Sequence, residues 1–235
     1  MSSTLFISDL HLDAARPEAT VALAALLAKH EHCDALYILG DLFEAWIGDD
    51  DDTPLALDTC TLLRAFSDTG PALYLMQGNR DFLLGERFAS RAGAILLPDP
   101  TVIDLYGQAT LLMHGDTLCT GDTDYQTFRT LVHKPQWQAE ALNLPLTERR
   151  EMASQLRGMS KDANSNKAQD IVDVTVQEVI RAMKQHGVKQ LIHGHTHRPA
   201  RHDVETGTRW VLGDWGEQAW IASASPTGMD LYKLY

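Results

Sequence analysis

Two pairs of ligand-type side chains stand at opposite ends of the sequence. Asp9-Leu10-His11 lies near the start, and His195-Thr196-His197 lies in the last fifth. In an extended segment, residues two apart point to the same side, so each pair reads as a two-pronged claw. Between them come Gly40-Asp41, Gly78-Asn79-Arg80-Asp81 and His114-Gly115-Asp116, each preceded by an apolar run. Carboxylates, an amide oxygen and imidazoles together suit Mn²⁺, Zn²⁺ or Fe²⁺ better than Ca²⁺ alone. Asp9, His11, Asp41, Asn79, His114, His195 and His197 supply that mixture. A pair of divalent ions roughly 3.5–4 Å apart lowers the pKa of a shared water and clamps phosphoryl oxygens. Asp41, with two carboxylate oxygens, is the natural bridge between two ions. Taken singly, a strand-end Asp is usually a cap and a lone His a surface or satisfied core residue. It is the ordered set that points to a two-metal hydrolytic site.

These residues need strands to deliver them. Thr4 to Ser8, Ala35 to Leu39, Ala72 to Met76, Ala109 to Met113 and Gln190 to Ile192 are short apolar runs, and each ends at one of the motifs. Open α/β sheets bind ligands at the carboxyl ends of their strands. Helices are expected between them: one from Arg16-Pro17-Glu18 with Val21, Leu23, Leu26 and Leu27 as its apolar face, one from Thr53-Pro54 with Leu57, Leu62, Leu63 and Phe66, and one over Asp81 to Ala92. Thr101 to Leu105 and Ala109 to Met113 flank a hairpin turn, and the tail alternates short strands and turns. Residues 120–185 hold no strand signal; Phe128, Leu131, Val132 and Trp137, then Met152, Leu156 and Met159, then Ile171, Thr175, Val179 and Met183 fall at helical intervals. Pro135 and Pro145 break this stretch into short helices. The expectation is one α/β domain over residues 1–235, a layered αββα sandwich, with residues 120–185 as a helical insertion, or lid, over the strand ends.

Composition narrows the partners. Of 235 residues, 32 are acidic and 20 basic, a net charge of −12, which argues against a nucleic-acid partner. It leaves an anionic substrate open, because bound cations reverse the local sign. The three cysteines, Cys33, Cys60 and Cys119, are widely spaced and fit a reducing compartment. Met1-Ser2-Ser3-Thr4 lacks the layout of a signal peptide, and no stretch reaches the roughly 18 apolar residues of a membrane span. A cytoplasmic protein is expected, with peripheral membrane contact left open and no obligate protein partner evident.

The order Asp-x-His, Gly-Asp, Gly-Asn-Arg-Asp, His-Gly-Asp and Gly-His-x-His resembles the calcineurin-like metallophosphoesterase superfamily, over nearly all of the chain outside the insertion. The resemblance implies that Asp9, His11, Asp41 and His197 hold one ion, and that Asp41, Asn79, His114 and His195 hold the other. One position departs from many members. Where they carry a histidine after the Asn, this chain has Arg80. Arginine stays protonated and cannot act as a general acid. It suits a leaving group that needs no proton, such as a phosphate released from a pyrophosphate.

Longer runs are similar to the UDP-2,3-diacylglucosamine hydrolases of lipid A biosynthesis. They are Gly40-Asp41-Leu42-Phe43-Glu44-Ala45-Trp46-Ile47-Gly48-Asp49-Asp50, His114-Gly115-Asp116-Thr117-Leu118-Cys119-Thr120-Gly121-Asp122-Thr123-Asp124-Tyr125 and Gly194-His195-Thr196-His197-Arg198-Pro199. That likeness implies UDP-2,3-diacylglucosamine as substrate, UMP and 2,3-diacylglucosamine 1-phosphate as products, two Mn²⁺ ions, and a cytoplasmic enzyme resting on the inner-membrane lipid surface. It implies that Asn79, Arg80, Asp122, Ser160, Asn164, Lys167 and His195 contact substrate. A hydroxide activated by the ion pair would attack the α-phosphorus, with Asp41, Asn79, Arg80 and His114 around the reacting groups. Two other readings stay open: a phosphoesterase or nucleotide pyrophosphatase acting on a soluble substrate, and a non-catalytic scaffold of the same fold. Asp49 to Asp52 read as a solvated loop carrying the N-terminal charge of the next helix. Asp214 and Glu217 read as candidate buttresses of the metal site.

Overall fold

The computed structural model describes residues 2–165 and 173–234, and of residues 161–165 the backbone alone. Two sheets lie face to face between helices. The first has the order β11-β10-β1-β2-β3-β4, with β1 at Thr4–Ile7, β2 at Ala35–Leu39, β3 at Ala72–Met76, β4 at Ala94–Leu97, β10 at Trp220–Ser225 and β11 at Gly228–Lys233. The second has the order β5-β6-β7-β9-β8, with β5 at Thr101–Leu105, β6 at Gln108–Met113, β7 at Gln190–His193, β8 at Ala200–Val204 and β9 at Gly207–Val211. Strands β1 to β4 run parallel, as do β6, β7 and β9.

Period-two alternation assigns each side chain to a layer. Leu5 and Ile7, Leu36 and Ile38, and Leu73 and Leu75 face helices α1 (Glu18–Lys29), α2 (Pro54–Asp68) and α3 (Glu86–Arg91). Phe6, Leu39 and Met76 face the other way, against Leu112, Ile192 and Leu212 of the second sheet. Leu111, Met113 and Leu191 pack on the far side against Val179 and Met183 of α7 (Val176–Gln185). The layers are therefore helix, sheet, sheet, helix. Because both faces of the central strands are covered, these strands read as unbroken apolar runs.

Several local expectations are corrected. Val21 is 67% exposed and Leu57 40% exposed. The buried stripe of α1 is instead Ala19, Ala22, Leu23, Leu26 and Leu27, and that of α2 is Ala56, Thr59, Cys60, Leu63 and Phe66. The helix expected over Asp81 to Ala92 forms only from Glu86 to Arg91. Asp81 is occupied elsewhere, as described below. Strand β4 was not among the expected strands.

Between β6 and β7 the described residues form α4 (Thr123–Val132), α5 (Pro135–Leu142), α6 (Leu146–Ser165) and α7. Pro135 opens α5, as its preset φ favours, while α6 runs for 20 residues rather than a short helix. Residues 166–172, with Lys167 and the expected Ile171 and Val172, lie outside the described residues. Helix α6 is fastened to the loop after β2 by a buried arginine. Arg149, 3% exposed, donates to Ile47 O at 2.7 Å and Leu144 O at 2.9 Å, and grips both oxygens of Asp50. Arg150 pairs with Asp51 and Asp52. Asp49 accepts from Gly85 N and Phe88 N at 2.9 Å and so caps α3. The acidic run is solvated only in part: Asp50 and Asp52 are exposed, yet all four carboxylates are engaged, three by α6 and one by α3.

Removing the Arg149 side chain leaves the buried Ile47 carbonyl unmet, a loss of about 2 kcal/mol. Thermal unfolding of Arg149→Ala should show a lowered midpoint, while an Arg150→Ala control, exposed and salt-screened, should barely move.

Candidate metal centre

The loops that follow β1, β2 and β7 share one backbone peculiarity. Asp9 (φ 55°), His11 (φ 49°), Asp41 (φ 53°), His195 (φ 67°) and His197 (φ 55°) are all left-handed; among the described non-glycine residues only Tyr106 joins them. The claws are therefore not extended segments, as their spacing suggested. Left-handed backbone for a side chain with a Cβ costs free energy and persists where the surroundings enforce it. Here the surroundings are the other loops. Asp9 N donates to Gly40 O, His11 N to Asp41 O, Gly194 N to His114 O and Trp215 N to Asp9 O. Two glycines permit this closeness. A Cβ on Gly194 would lie 2.3 Å from Ser8 Oγ, and one on Gly40 would lie 2.4 Å from His114 Nδ1.

Asp81, in the loop after β3, ties that loop to the one after β2. Its Oδ1 accepts from Gly78 N at 2.7 Å and Asp41 N at 3.2 Å, and its Oδ2 accepts from Leu42 N at 2.7 Å. That explains why it opens no helix: its carboxylate serves the backbone across from it rather than the turn ahead of it. It stood within the Gly-Asn-Arg-Asp motif, but its role was not assigned.

All seven expected donors meet. His197 Nε2 is 3.4 Å from Asp9 Oδ1 and 3.3 Å from His11 Nε2, and His11 Nε2 is 3.8 Å from Asp41 Oδ2. His114 Nε2 is 3.8 Å from Asp41 Oδ1. Asn79 Oδ1 sits 2.9 Å from His114 Nε2 and 2.8 Å from His195 Nδ1. Ligand atoms of Asp9, His11 and His197, and of Asp9, Asp41 and His114, lie within 4.8 Å of one another in each trio. The side chains fit a pair of cations on a specific ground: Asp9 Oδ1 is buried without a hydrogen-bond partner, and its Oδ2 already takes Ser8 Oγ at 2.5 Å and His195 N at 2.8 Å. A buried, unpaired carboxylate oxygen among imidazole nitrogens wants a positive charge.

The imidazoles are oriented by their other nitrogens. His114 Nδ1 lies 2.9 Å from Leu39 O, which only a protonated nitrogen can satisfy. His11 Nδ1 lies 3.3 Å from Glu44 Oε2. Both arrangements leave Nε2 as the ligand atom, held by an outer partner. Burial works against the charge on His114, but Asp41, Asp9 and Asp116 outweigh it and raise its pKa to about 9. Burial and the neighbouring His114 push His195 down to about 4. For Asp9, burial opposes ionisation, yet His197, His114 and His11 hold it far below the usual carboxylate range.

The remaining expected residues divide. Arg80 N donates to Asp41 Oδ1 at 2.8 Å, its Nε is 4.0 Å from Asp41 Oδ2, and its Nη1 donates to Ser160 Oγ at 3.3 Å, which brings α6 to the centre. Asp122 is buried and caps α4 by accepting from Tyr125 N. The side chain of Asn164, and Lys167 entirely, lie outside what is described. Asp214 Oδ2 reaches 3.9 Å from His197 Nδ1, whereas Glu217 is exposed. Two further groups were not singled out beforehand. Glu44 joins His11 to Arg157 of α6 and Arg16. Asp116 holds Tyr125 Oη and Arg129 beneath His114 and His195, with the Tyr125 ring 6.0 Å from that of His195. Both lay inside the quoted runs, but an acidic residue in a motif does not announce which neighbour it will meet.

Known proteins share these features. The model of the family described as calcineurin-like phosphoesterase matches residues 2–199. A protein of Cellvibrio japonicus named UDP-2,3-diacylglucosamine hydrolase is 54% identical, over 97% of this chain and 98% of its own. One of the same name from Escherichia coli is 49% identical over the same shares. Among solved structures, a novel archaeal phosphodiesterase aligns with a TM-score of 0.51 at 12% identity, covering 99% of both chains. Vps29 of Entamoeba histolytica aligns with a TM-score of 0.50 at 13% identity, over 99% of this chain and 98% of that one. At those identities the likeness is one of fold.

Two measurements follow. Asp81→Ala removes three backbone anchors at once, so divalent-ion affinity read by calorimetry should fall by about 10- to 100-fold while the protein still melts cooperatively. In the ion-free protein a proton stays on His114 up to about pH 9 and must leave for Nε2 to bind an ion. Affinity should therefore rise with pH between 6.5 and 8.5, by up to about tenfold per unit for one proton released; a flat profile would refute the raised pKa.

Proposed function

The chain belongs to the calcineurin-like phosphoesterase family, and on that footing we propose that it hydrolyses the pyrophosphate bond of UDP-2,3-diacylglucosamine. The products are UMP and 2,3-diacylglucosamine 1-phosphate, the reaction belongs to lipid A biosynthesis, and water attacks at the α-phosphorus. The observation that carries this reading is the guanidinium of Arg80 set against Asp41 on one side and Ser160 of α6 on the other.

Asp9, His11, Asp41 and His197 would hold one cation, and Asp41, Asn79, His114 and His195 a second. Bound there, two divalent ions supply Lewis acidity to a phosphoryl group and acidify water. The mixture of carboxylate, amide and imidazole suits manganese, as it suits zinc or ferrous iron, and manganese is the metal of this reading. The protein's own groups do the rest. Arg80 cannot release a proton, so it stabilises negative charge on the phosphoryl oxygens throughout. The departing sugar phosphate is already a good leaving group and requires no acid, so the missing histidine at this position is no handicap. Asp81 and the left-handed loops keep the donors in place before substrate arrives, which removes reorganisation from the reaction.

The helices between β6 and β7 are read as a lid that receives the acyl chains. Leu131 of α4 is 46% exposed, Leu142 of α5 41% and Met159 of α6 67%, so three successive helices each leave a large apolar side chain uncovered. Met159 lies on the same helix as Ser160, the residue that meets Arg80. Among the described residues no helix is long and apolar enough to cross a membrane. The same exposed side chains support a peripheral seat on the cytoplasmic face of the inner membrane, where the diacylated substrate resides.

Hydrolysis of UDP-2,3-diacylglucosamine to UMP, followed by phosphorus NMR, tests the reading. Asp41→Asn should lower turnover by about 1,000-fold or more, since it strips charge from the residue shared by both ions. Arg80→Ala should lower turnover by about 100-fold with bound metal unchanged by elemental analysis. UDP-glucosamine, lacking acyl chains, should react far more slowly than the lipid; equal rates would remove the lid from the account.

A further inference from the structure

A cavity of about 160 Å³ opens beside the metal centre. Glu44 links its lining to α6: Oε2 meets Arg16 and His11, and Oε1 meets Arg157. His11 belongs to both spaces, being a wall of the cavity and a donor of the centre. Leu10 and Trp215 form its apolar surface. The Trp215 indole N–H already donates to Trp220 O at 3.1 Å, so its ring lines the cavity with carbon. The polar groups are Arg16, Glu18 and Asp214. Asp214 Oδ2 accepts from Gly216 N and lies 3.9 Å from His197 Nδ1, so it stands against the second shared wall.

We propose that this cavity is the nucleoside subsite, receiving the uracil end of the substrate. The inference rests on the reading that the enzyme cleaves a UDP-linked lipid, and adds where the UMP half goes. A substrate spanning the centre has two ends of opposite character. The diacylated end fits the exposed apolar side chains of α4, α5 and α6, reached past Arg80 and Ser160. The other end is small, flat and polar, and the cavity is small and lined by both polar side chains and an indole. It cannot admit an acyl chain without stripping water from Arg16, Glu18 and Asp214. Uracil presents one ring N–H between two carbonyl oxygens. A carboxylate accepts that N–H, a guanidinium donates to a carbonyl, and an indole face covers the ring. Cytosine has a lone pair at that place and an amino group beside it, so a carboxylate fixed on the ring N–H of uracil meets cytosine less well. Neither the family's metal motifs nor the lid supplies this selection; Arg16 and Glu18 lie on the approach to α1 and at its first turn, outside every motif of the centre.

The test compares ligands within each protein. Calorimetry on the manganese-loaded enzyme measures UMP, CMP and ribose 5-phosphate, which share the phosphate and differ in the base. UMP should bind about tenfold or more tighter than ribose 5-phosphate and tighter than CMP. Glu18→Trp, at an exposed position, plugs the cavity mouth without disturbing the core, and Arg16→Ala removes the cation. In both, the UMP advantage should shrink to about threefold or less. Taking the ratio inside each protein cancels any loss common to all three ligands. An absent advantage in the wild type, or one retained in either variant, overturns the subsite. Failure of the wild type to hydrolyse UDP-2,3-diacylglucosamine overturns instead the functional reading on which it rests.

Discussion

One buried oxygen organises this molecule. Asp9 Oδ1 has no hydrogen-bond partner, sits at zero exposure, and belongs to a carboxyl that three imidazoles keep ionised. A charge in that position is expensive, and among the described residues the imidazoles of His197, His114 and His11 offset it without giving Oδ1 a hydrogen bond. Everything around it follows from the need to gather positive charge at one point. The loops from β1, β2, β3, β6 and β7 end there, and their donors come within 2.8 to 3.8 Å of one another. The protein is in this sense unfinished without cations, and its most strained backbone is where they belong.

That strain is shared rather than local. Five left-handed side chains in three loops would each relax if free. Asp9, His11, Asp41 and His195 are each tied through the backbone to a different loop, and Asp81, in the loop after β3, takes three backbone N–H groups from its own loop and the one after β2. Rigid packing behind the loops makes this possible. The apolar layers described by Leu36, Ile38 and Leu39 on β2 leave that strand no freedom to retreat, so the loop after it must absorb the turn.

How much of this could be read from the residues depends on the range of the interaction. The strands were legible because both faces are buried, which turns each into a compact apolar word ending at its motif. The seven donors were legible because their types and order carry chemistry. The geometry that unites them was not. Asp9 and His11 looked like neighbours on an extended strand, and are instead neighbours through left-handed turns that only contact with Gly40 and Asp41 can sustain. Asp81 looked like the start of a helix because its partners are forty residues back. Asp49 to Asp52 looked solvated because Arg149 and Arg150, which claim three of the four, lie a hundred positions on. Val21 and Leu57 matched an apolar period but fell on the wrong side of helices whose true stripe includes alanine and threonine.

The arrangement of the first sheet carries a consequence for biogenesis. Strand β1 is not an edge: β2 lies on one side in parallel, and β10, from near the end of the chain, lies on the other, pairing Thr4 with Ala224. The loop bearing Asp9 is likewise completed by Trp215. A ribosome delivers the first prong of the metal claw long before the segments that fix it in place. The claw is therefore set only once Trp215 and β10 are in place, and a chain clipped before β10 would leave its carboxylates as an open, unassembled cluster.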